Sequence, residues 1–398
     1  MLIQEIKKLA NEIHGHVIEM RRHLHAHPEL SFHEYETSSF VKARLDEMTI
    51  SWKPVAGTGI MALVKGDKSS DQVIALRADM DALPIQEINQ VDYVSKNNGV
   101  MHACGHDVHT SSLLGTARIL QSIKNKFGGT IKLIFQPGEE KFPGGASLMI
   151  KEGVLTKPQP SAVIGQHVSP MVDTGKIAIR KGKFMASMDE IFVTVRGKGG
   201  HGAQPHHNID PVIITAHILI ALQQIVSRMA NPGLPTVLSF GKLIANGSIN
   251  VIPDEVYIER TFRTLDESWR TEAHKRIKKI AENIADSMGG TCDCKIVRGY
   301  PFLINEENLT MQVQSFAREY LGNENVIDAD IWMAAEDFAF YSQKAPSCFY
   351  RLGVRNEKRG INSSVHTSTF DIEESALETG MGLMAWMTLN ELRTGNLA

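Results

Sequence analysis

The order of apolar segments predicts an α/β protein whose main sheet is interrupted by a smaller insert. Short apolar strands alternate with amphipathic helices at both ends of the chain. The middle follows a different rhythm, β-α-β-β-α-β, which is the split ferredoxin-like unit. The length of 398 residues is long for one hydrophobic core and agrees with two domains.

Residues 2–20 place Ile3, Ile6, Leu9, Ala10, Ile13, Val17 and Met20 at helical spacing. Gly59–Val64 and Gln72–Arg77 read as strands. Val108–Ile123 reads as a helix, with Leu113, Leu114, Ala117, Leu120 and Ile123 on one stripe. Thr130–Gln136 and Ser161–Gly165 are short apolar strands, and the alternation predicts helices on both faces of the sheet. The insert reads as strand 189–197, helix 210–229, strand 236–245, strand 255–263, helix 267–288 and strand 291–298. It can bury its own core, so the expected domains are 186–299 inserted into a unit made of 1–185 and 300–398. A helix at 308–321, a strand at 326–331 and a last helix at 373–394 resume the first pattern. There is no internal repeat and no low-complexity linker.

Composition narrows the function. Hydrophobic residues make up 42% and charged residues 22%, as in a globular domain, and the net charge of -3 gives no basic excess for nucleic acid. The first residues carry charge where a signal peptide needs an apolar core. Pro211–Val226 is the longest apolar stretch, but Thr215, His217, Gln223 and Gln224 interrupt it. It reads as a buried helix rather than a membrane span. Four cysteines are too few for a disulfide framework. A cytoplasmic location is expected, because a ligating thiolate suits a reducing compartment.

The chemistry sits in two segments. His102-Ala-Cys-Gly-His-Asp-Val-His109 offers Cys104 and His106, good ligands for a zinc-like ion. Glu139-Glu140 closes the apolar run Thr130–Gly138, where Pro137-Gly138 forces a turn. One carboxylate can bind metal while its neighbour takes a proton from water. Spacing does not say which does which. Gln166-His167 ends the next strand. Asp79 and Asp81 follow another, as ligands or, the favoured reading, as groups that orient ligand histidines. Sites of open α/β sheets form at such carboxyl ends.

Other features carry less. His23, His25 and His27 lack a carboxylate or cysteine cluster at ligand spacing, so lining or orienting roles are expected. Gly197-Lys-Gly-Gly-His-Gly202 fits a dinucleotide fingerprint only superficially, since Pro205 and Pro211 delay the helix and no acid lies between Asp210 and Asp254. Its glycines more simply let the backbone approach a ligand while His201 projects. Cys292 and Cys294 read as core thiols, Cys348 as a buried strand residue. His366 stands late in an irregular segment.

Seven stretches together resemble the aminoacylase, hippurate hydrolase and plant auxin-conjugate (IAA-amino acid) amidohydrolase branch of the dinuclear zinc metallopeptidases. They are Arg21–Leu30, Leu76–Pro84, Met101–His109, Phe135–Glu140, Gly199–His206, Asn250–Asp254 and Ala335–Phe338. The resemblance runs nearly end to end. It implies a zinc-peptidase-like catalytic α/β domain with a ferredoxin-like lid and dimerisation domain. It implies two divalent metal ions, zinc first, with manganese, cobalt or nickel also compatible. Cys104 would bridge them, with His106, Glu140, His167 and His366 as the other ligands. Glu139 would be the catalytic base, His201 a lid residue polarising the scissile carbonyl, and Asn250 a lid residue near substrate. Two departures are Gln166 before the third ligand and Thr367 after the last. The implied reaction is hydrolysis of N-acyl amino acids such as acetyl or benzoyl conjugates. The implied assembly is a homodimer through the lid. The rivals are a dipeptidase or carboxypeptidase of the same family, and a catalytically silent metal- or ligand-binding homologue.

Overall fold

In the computed structural model, which describes residues 2–394, the chain forms two compact units. The first comprises the chain up to Phe184, Ile304–Asp330 and the chain from Asp337 onward. The second comprises Met185–Leu303 with Ile331–Glu336.

Eight strands build the sheet of the first unit. Their order is Ser51–Val55, Gly59–Lys65, Gly128–Gln136, Lys68–Asp79, Ala162–Asp173, Ser347–Arg355, Ile177–Ile179 and Val326–Asp328. The four strands from Gly128–Gln136 to Ser347–Arg355 run parallel, and both flanks carry antiparallel pairs. The sheet is therefore mixed. Helix α1 (Leu2–Ala26), helix α3 (His106–Ser122) and the last helix, Ala376–Thr394, pack on one another over one face. Their apolar stripes bury Val17, Leu113, Leu120 and Met381 against Ile74, Leu76, Ile131 and Leu133. Burying each such side chain stabilises the fold by about 1.5–3 kcal/mol. Between α1 and α3 lies α2 (Tyr35–Glu47), which sequence periodicity does not reveal.

Register places the site. Asp79 is level with Gln136, and Arg77 with Gly165, so His167 comes level with Asp79 two residues further on. Three strands thus deliver their donors to one edge. His167 does not follow its strand, as the sequence suggests. The strand runs on to Asp173, because Ser347–Arg355 pairs with it over that length.

The second unit has the β-α-β-β-α-β order and a four-stranded antiparallel sheet: Thr236–Ile244, Glu255–Thr264, Asp189–Arg196, Thr291–Arg298. Asp210 caps the first helix by accepting the N–H of Val212 and Ile213, with Pro211 at its first turn. Asp266 caps the second, Glu267–Ser287, through Trp269 N–H. Both helices cover one sheet face, where Ile191, Val193, Ile214, Ile218, Ile258 and Ile277 are buried.

The expectation of a buried helix over Pro211–Val226 needs correction. Only 28% of its apolar window is buried. Ile214, Ile218 and Leu222 face the sheet, while Ile213 and Ile220 are exposed. A two-layer unit covers a helix on one side only. By length and composition Pro211–Met229 could cross a membrane, but its inner face is committed to the sheet.

Candidate metal centre

The turn before α3 brings Cys104 and His106 to the sheet edge. Gly105 has a φ of +80°, and a Cβ there would run into the Val168 side chain, so glycine lets the turn sit against the neighbouring strand. Cys104 Sγ stands 3.4 Å from His167 Nε2 and 3.3 Å from His366 Nε2. His366 Nε2 is 3.1 Å from Glu140 Oε1. Donor atoms of Cys104, His106 and His167 lie within 4.8 Å of one another. So do those of Cys104, Glu140 and His366, and those of His106, Glu139 and Glu140. The structure thus gathers all five residues that the resemblance names as ligands, with Glu139 beside them.

Hydrogen bonds fix which nitrogen each histidine offers. His167 Nδ1 donates to the Val168 carbonyl at 2.7 Å, so Nε2 carries the lone pair toward Cys104. His106 Nδ1 donates to Asp81 Oδ1 at 3.2 Å. Its Nε2 is buried with no hydrogen-bond partner, and Asp79 Oδ2 is 3.7 Å away. His109 is different. Its Nδ1 donates to Asp79 and its Nε2 accepts the Val168 N–H at 2.9 Å, so no lone pair remains for a metal. Asp79 and Asp81 therefore orient histidines in this geometry, as the favoured sequence reading has it.

Asp81 does more. Its two oxygens accept the backbone N–H groups of Glu139 and Glu140, each at 3.0 Å, and Ser31 Oγ donates to it at 2.6 Å. The glutamate turn is thereby pinned to the strand that bears Asp79. Glu139 is 6% exposed, and its Oε1 accepts the backbone N–H of Asp337 at 3.2 Å. Sequence reasoning gave no role to Arg77, Gln136 or Asp337. Arg77 reaches Asp79, Gln136 and Asp337, and Gln136 Nε2 also donates to Asp337. A charged residue inside an apolar strand was the available signal for Arg77.

The electrostatics call for positive charge. Burial pushes the Cys104 thiol well above its ordinary range, and the carboxylates of Glu140, Glu139 and Asp79 push it further. Burial opposes charge on His106, but Asp79 and Asp81 outweigh it and lift the ring to about 10. Both shifts report one field, dense in carboxylate. A divalent cation would reverse the first by holding the thiolate. The unpartnered His106 Nε2, the His167 lone pair, the Cys104 thiol and the Glu140 carboxylate form a mixed N/O/S donor set, so the residues present fit such an ion.

In the second unit, His201 pairs with Val251 across a two-stranded ladder, and Gly202 N–H donates to the Asn250 carbonyl at 2.8 Å. His201 and Asn250 are neighbours there, and both are exposed. His201 Nδ1 accepts the Ala203 N–H at 3.1 Å, so a neutral ring carries its proton on Nε2 and presents a donor. Of the histidines in the Arg21–His27 run, His25 is buried, while His23 stacks on Phe40 and His27 bonds the His23 carbonyl. Gln166 points away from His167 along the strand and accepts Tyr350 Oη–H at 2.9 Å. Cys348 and Cys294 are buried and Cys292 half-buried.

Comparison with known proteins gives the family. The profile of peptidase family M20/M25/M40 matches residues 75–390. The N-acyl-L-amino acid amidohydrolase of Geobacillus stearothermophilus is 44% identical over 77% of this chain and 82% of its own. Thermostable carboxypeptidase 2 of Saccharolobus solfataricus is 38% identical over 95% of this chain and 96% of its own. A crystal structure of a Bacillus subtilis protein, described as a dinuclear metal binding peptidase of the M20 family, superposes with a TM-score of 0.83 at 34% identity. It covers 96% of this chain and 99% of that one. The chain belongs to peptidase family M20/M25/M40 and is a hydrolase of that family.

Proposed function

We propose that the protein hydrolyses the amide bond of N-acyl amino acids, with Cys104, His106, Glu140, His167 and His366 holding two divalent ions and Glu139 acting as general base. The observation that carries this is the convergence of those five donors beside a sixth residue, Glu139, whose carboxylate is held by Asp337 N–H. Binding alone needs no such extra base, which argues against a silent homologue. Ions held there would supply Lewis acidity and lower the pKa of water toward about 7.

The chain's own residues do the rest. Glu139 takes the proton of the attacking water and returns it to the leaving nitrogen. Asp81 fixes its backbone, and the Asp337 N–H keeps its carboxylate from swinging away. The exposed Nε2–H of His201 suits donation to the carbonyl oxygen as charge develops there, and Asn250 beside it would contact substrate. Zinc suits the thiolate and imidazole donors, while manganese, cobalt or nickel also fit a mixed set. A cytoplasmic homodimer through the second unit completes the reading. The exposed Ile213 and Ile220 of its first helix support that assembly.

The similarity to a carboxypeptidase favours a second reading, peptide cleavage by the same groups. An amine-release assay separates the two. Chelated protein is supplied with zinc, manganese, cobalt or nickel and offered N-acetyl, N-benzoyl and dipeptide substrates. Metal-restored release from the acylated compounds is expected. Release from dipeptides alone selects the second reading, and no release with metal bound sinks both.

A further inference from the structure

The Arg21–His27 run has no donor in the site, yet its buried members hold the segments that do. Arg21 and His25 lie on one face of α1, four residues apart, and both are fully buried. Arg21 Nε and His25 Nδ1 both donate to Oδ2 of Asp107, at 2.7 and 2.8 Å. Asp107 directly follows His106. Arg21 Nη2 donates to Asp371 Oδ1 at 2.9 Å, in the loop that follows His366. The other Asp371 oxygen accepts Tyr93 Oη–H at 2.8 Å. His25 Nε2 donates to Glu87 Oε1 at 3.1 Å. A carboxylate oxygen thus faces each ring nitrogen of His25. Arg21 Nη2 also lies 3.2 Å from His25 Nδ1, so the two side chains and the Asp107 carboxylate form one buried group.

We propose that Arg21 and His25 are positioning residues for the metal centre, a cationic clasp that ties the Cys104–Asp107 turn to the His366–Asp371 loop. Three of the five donors sit on those two segments, while the clasp touches none of them. His366 makes the dependence acute. It holds a φ of +62°, unusual for a residue with a Cβ, and its backbone N–H donates to the Ala103 carbonyl at 2.7 Å. Its loop must be held from outside for its ring to face Cys104. Without Arg21, the buried Asp107 carboxylate loses its full counter-charge and Asp371 its link to α1.

The inference rests on the ligand assignment proposed above, and the test separates the two. Metal-free protein is titrated with Co²⁺, reading the thiolate-to-cobalt absorption and the Kd by chelator competition, with Tm alongside. The variants are Cys104→Ser, Arg21→Met, His25→Asn and Tyr93→Phe. The wild type shows the thiolate band and Cys104→Ser loses it. Arg21→Met and His25→Asn keep the band but raise the Kd by about ten- to a hundredfold. Tyr93→Phe removes one hydrogen bond and no buried charge, so it folds, and it raises the Kd severalfold. A merely structural role would lower Tm and leave the Kd of the folded protein alone. A wild type without the band overturns the ligand assignment and the clasp with it. A band present in the wild type and in all variants but Cys104→Ser, with the wild-type Kd in Tyr93→Phe and in every clasp variant that folds, overturns the clasp alone.

Discussion

Asp81 holds His106 by Nδ1, at 3.2 Å, and leaves Nε2 buried and without a hydrogen-bond partner. The same carboxylate pins the backbone of Glu139 and Glu140. One side chain therefore sets both the tautomer of a proposed ligand and the position of the glutamate turn. Asp81→Ala removes both controls. Zinc affinity is expected to fall by about ten- to a hundredfold, measured by chelator competition. An unchanged affinity would show that packing alone orients the ring.

Glu139→Gln keeps the size of the side chain and removes the base. Bound metal, read by elemental analysis, is expected to stay at the wild-type ratio, while kcat falls by about 10²–10⁴-fold. Loss of metal together with activity would instead make Glu139 a ligand.

His201→Ala tests the exposed donor of the second unit. Its ring is held by Ala203 N–H at Nδ1. A drop in kcat of about 10²–10³-fold is expected with metal content intact. An unchanged kcat removes His201 from the reaction.

The sheet was legible because its strands are apolar runs bounded by turns, as at Thr130–Gln136. The Cys104-x-His106 turn and the Glu139-Glu140 pair were legible for the same reason: their chemistry is local. The α2 helix was not, because its buried residues Thr37, Ser38, Val41 and Leu45 form a weak apolar stripe. The edge strand Ser51–Val55 carries Pro54 and mostly exposed side chains, so it lacks alternation. The extension of the Ala162 strand depends on a partner strand almost two hundred residues away. Long-range pairs were hidden likewise. Arg21 meets Asp107 across 86 positions, and His366 meets Cys104 across 262. No spacing rule connects such residues; only the folded sheet does.

The clasp also predicts a pH dependence. Burial opposes charge on His25, and Arg21 opposes it further, but Asp107 and Glu87 outweigh both and raise its pKa from 6.5. Its stabilisation is then full below pH 6.5 and is lost as pH rises through the folded value. Burial opposes ionisation of Asp107, but Arg21 and His25 depress it below 3.8. That contribution is present above pH 3.8 and is lost as pH falls through the folded value. The Tm difference between metal-free wild type and His25→Asn is expected to be greatest near pH 5–6 and to shrink above 6.5. A constant difference up to pH 9 would mean that the ring packs there neutral.

The second unit has its own buried ion pair, and its loss gives a large stability effect far from the metal donors. Asp189 and Arg270 are 0% and 1% exposed. Arg270 Nε and Nη2 donate to the two oxygens of Asp189, and Nη2 also reaches the carbonyl of Gly299 at 3.1 Å. Asp189 in turn accepts Gly299 N–H at 3.1 Å and pairs with His274 at 2.6 Å. The pair thus joins the first strand of the unit to the end of its last strand through its second helix. Asp189→Ala leaves a buried guanidinium facing backbone carbonyls with only Glu267 to balance it. Breaking such a pair from one side costs about 3–5 kcal/mol. Denaturant unfolding of the variant should show that loss, while Co²⁺ binding, carried by groups of the first unit, keeps its wild-type Kd. A loss below about 1 kcal/mol would mean that Glu267 and the carbonyls suffice to hold Arg270 in place.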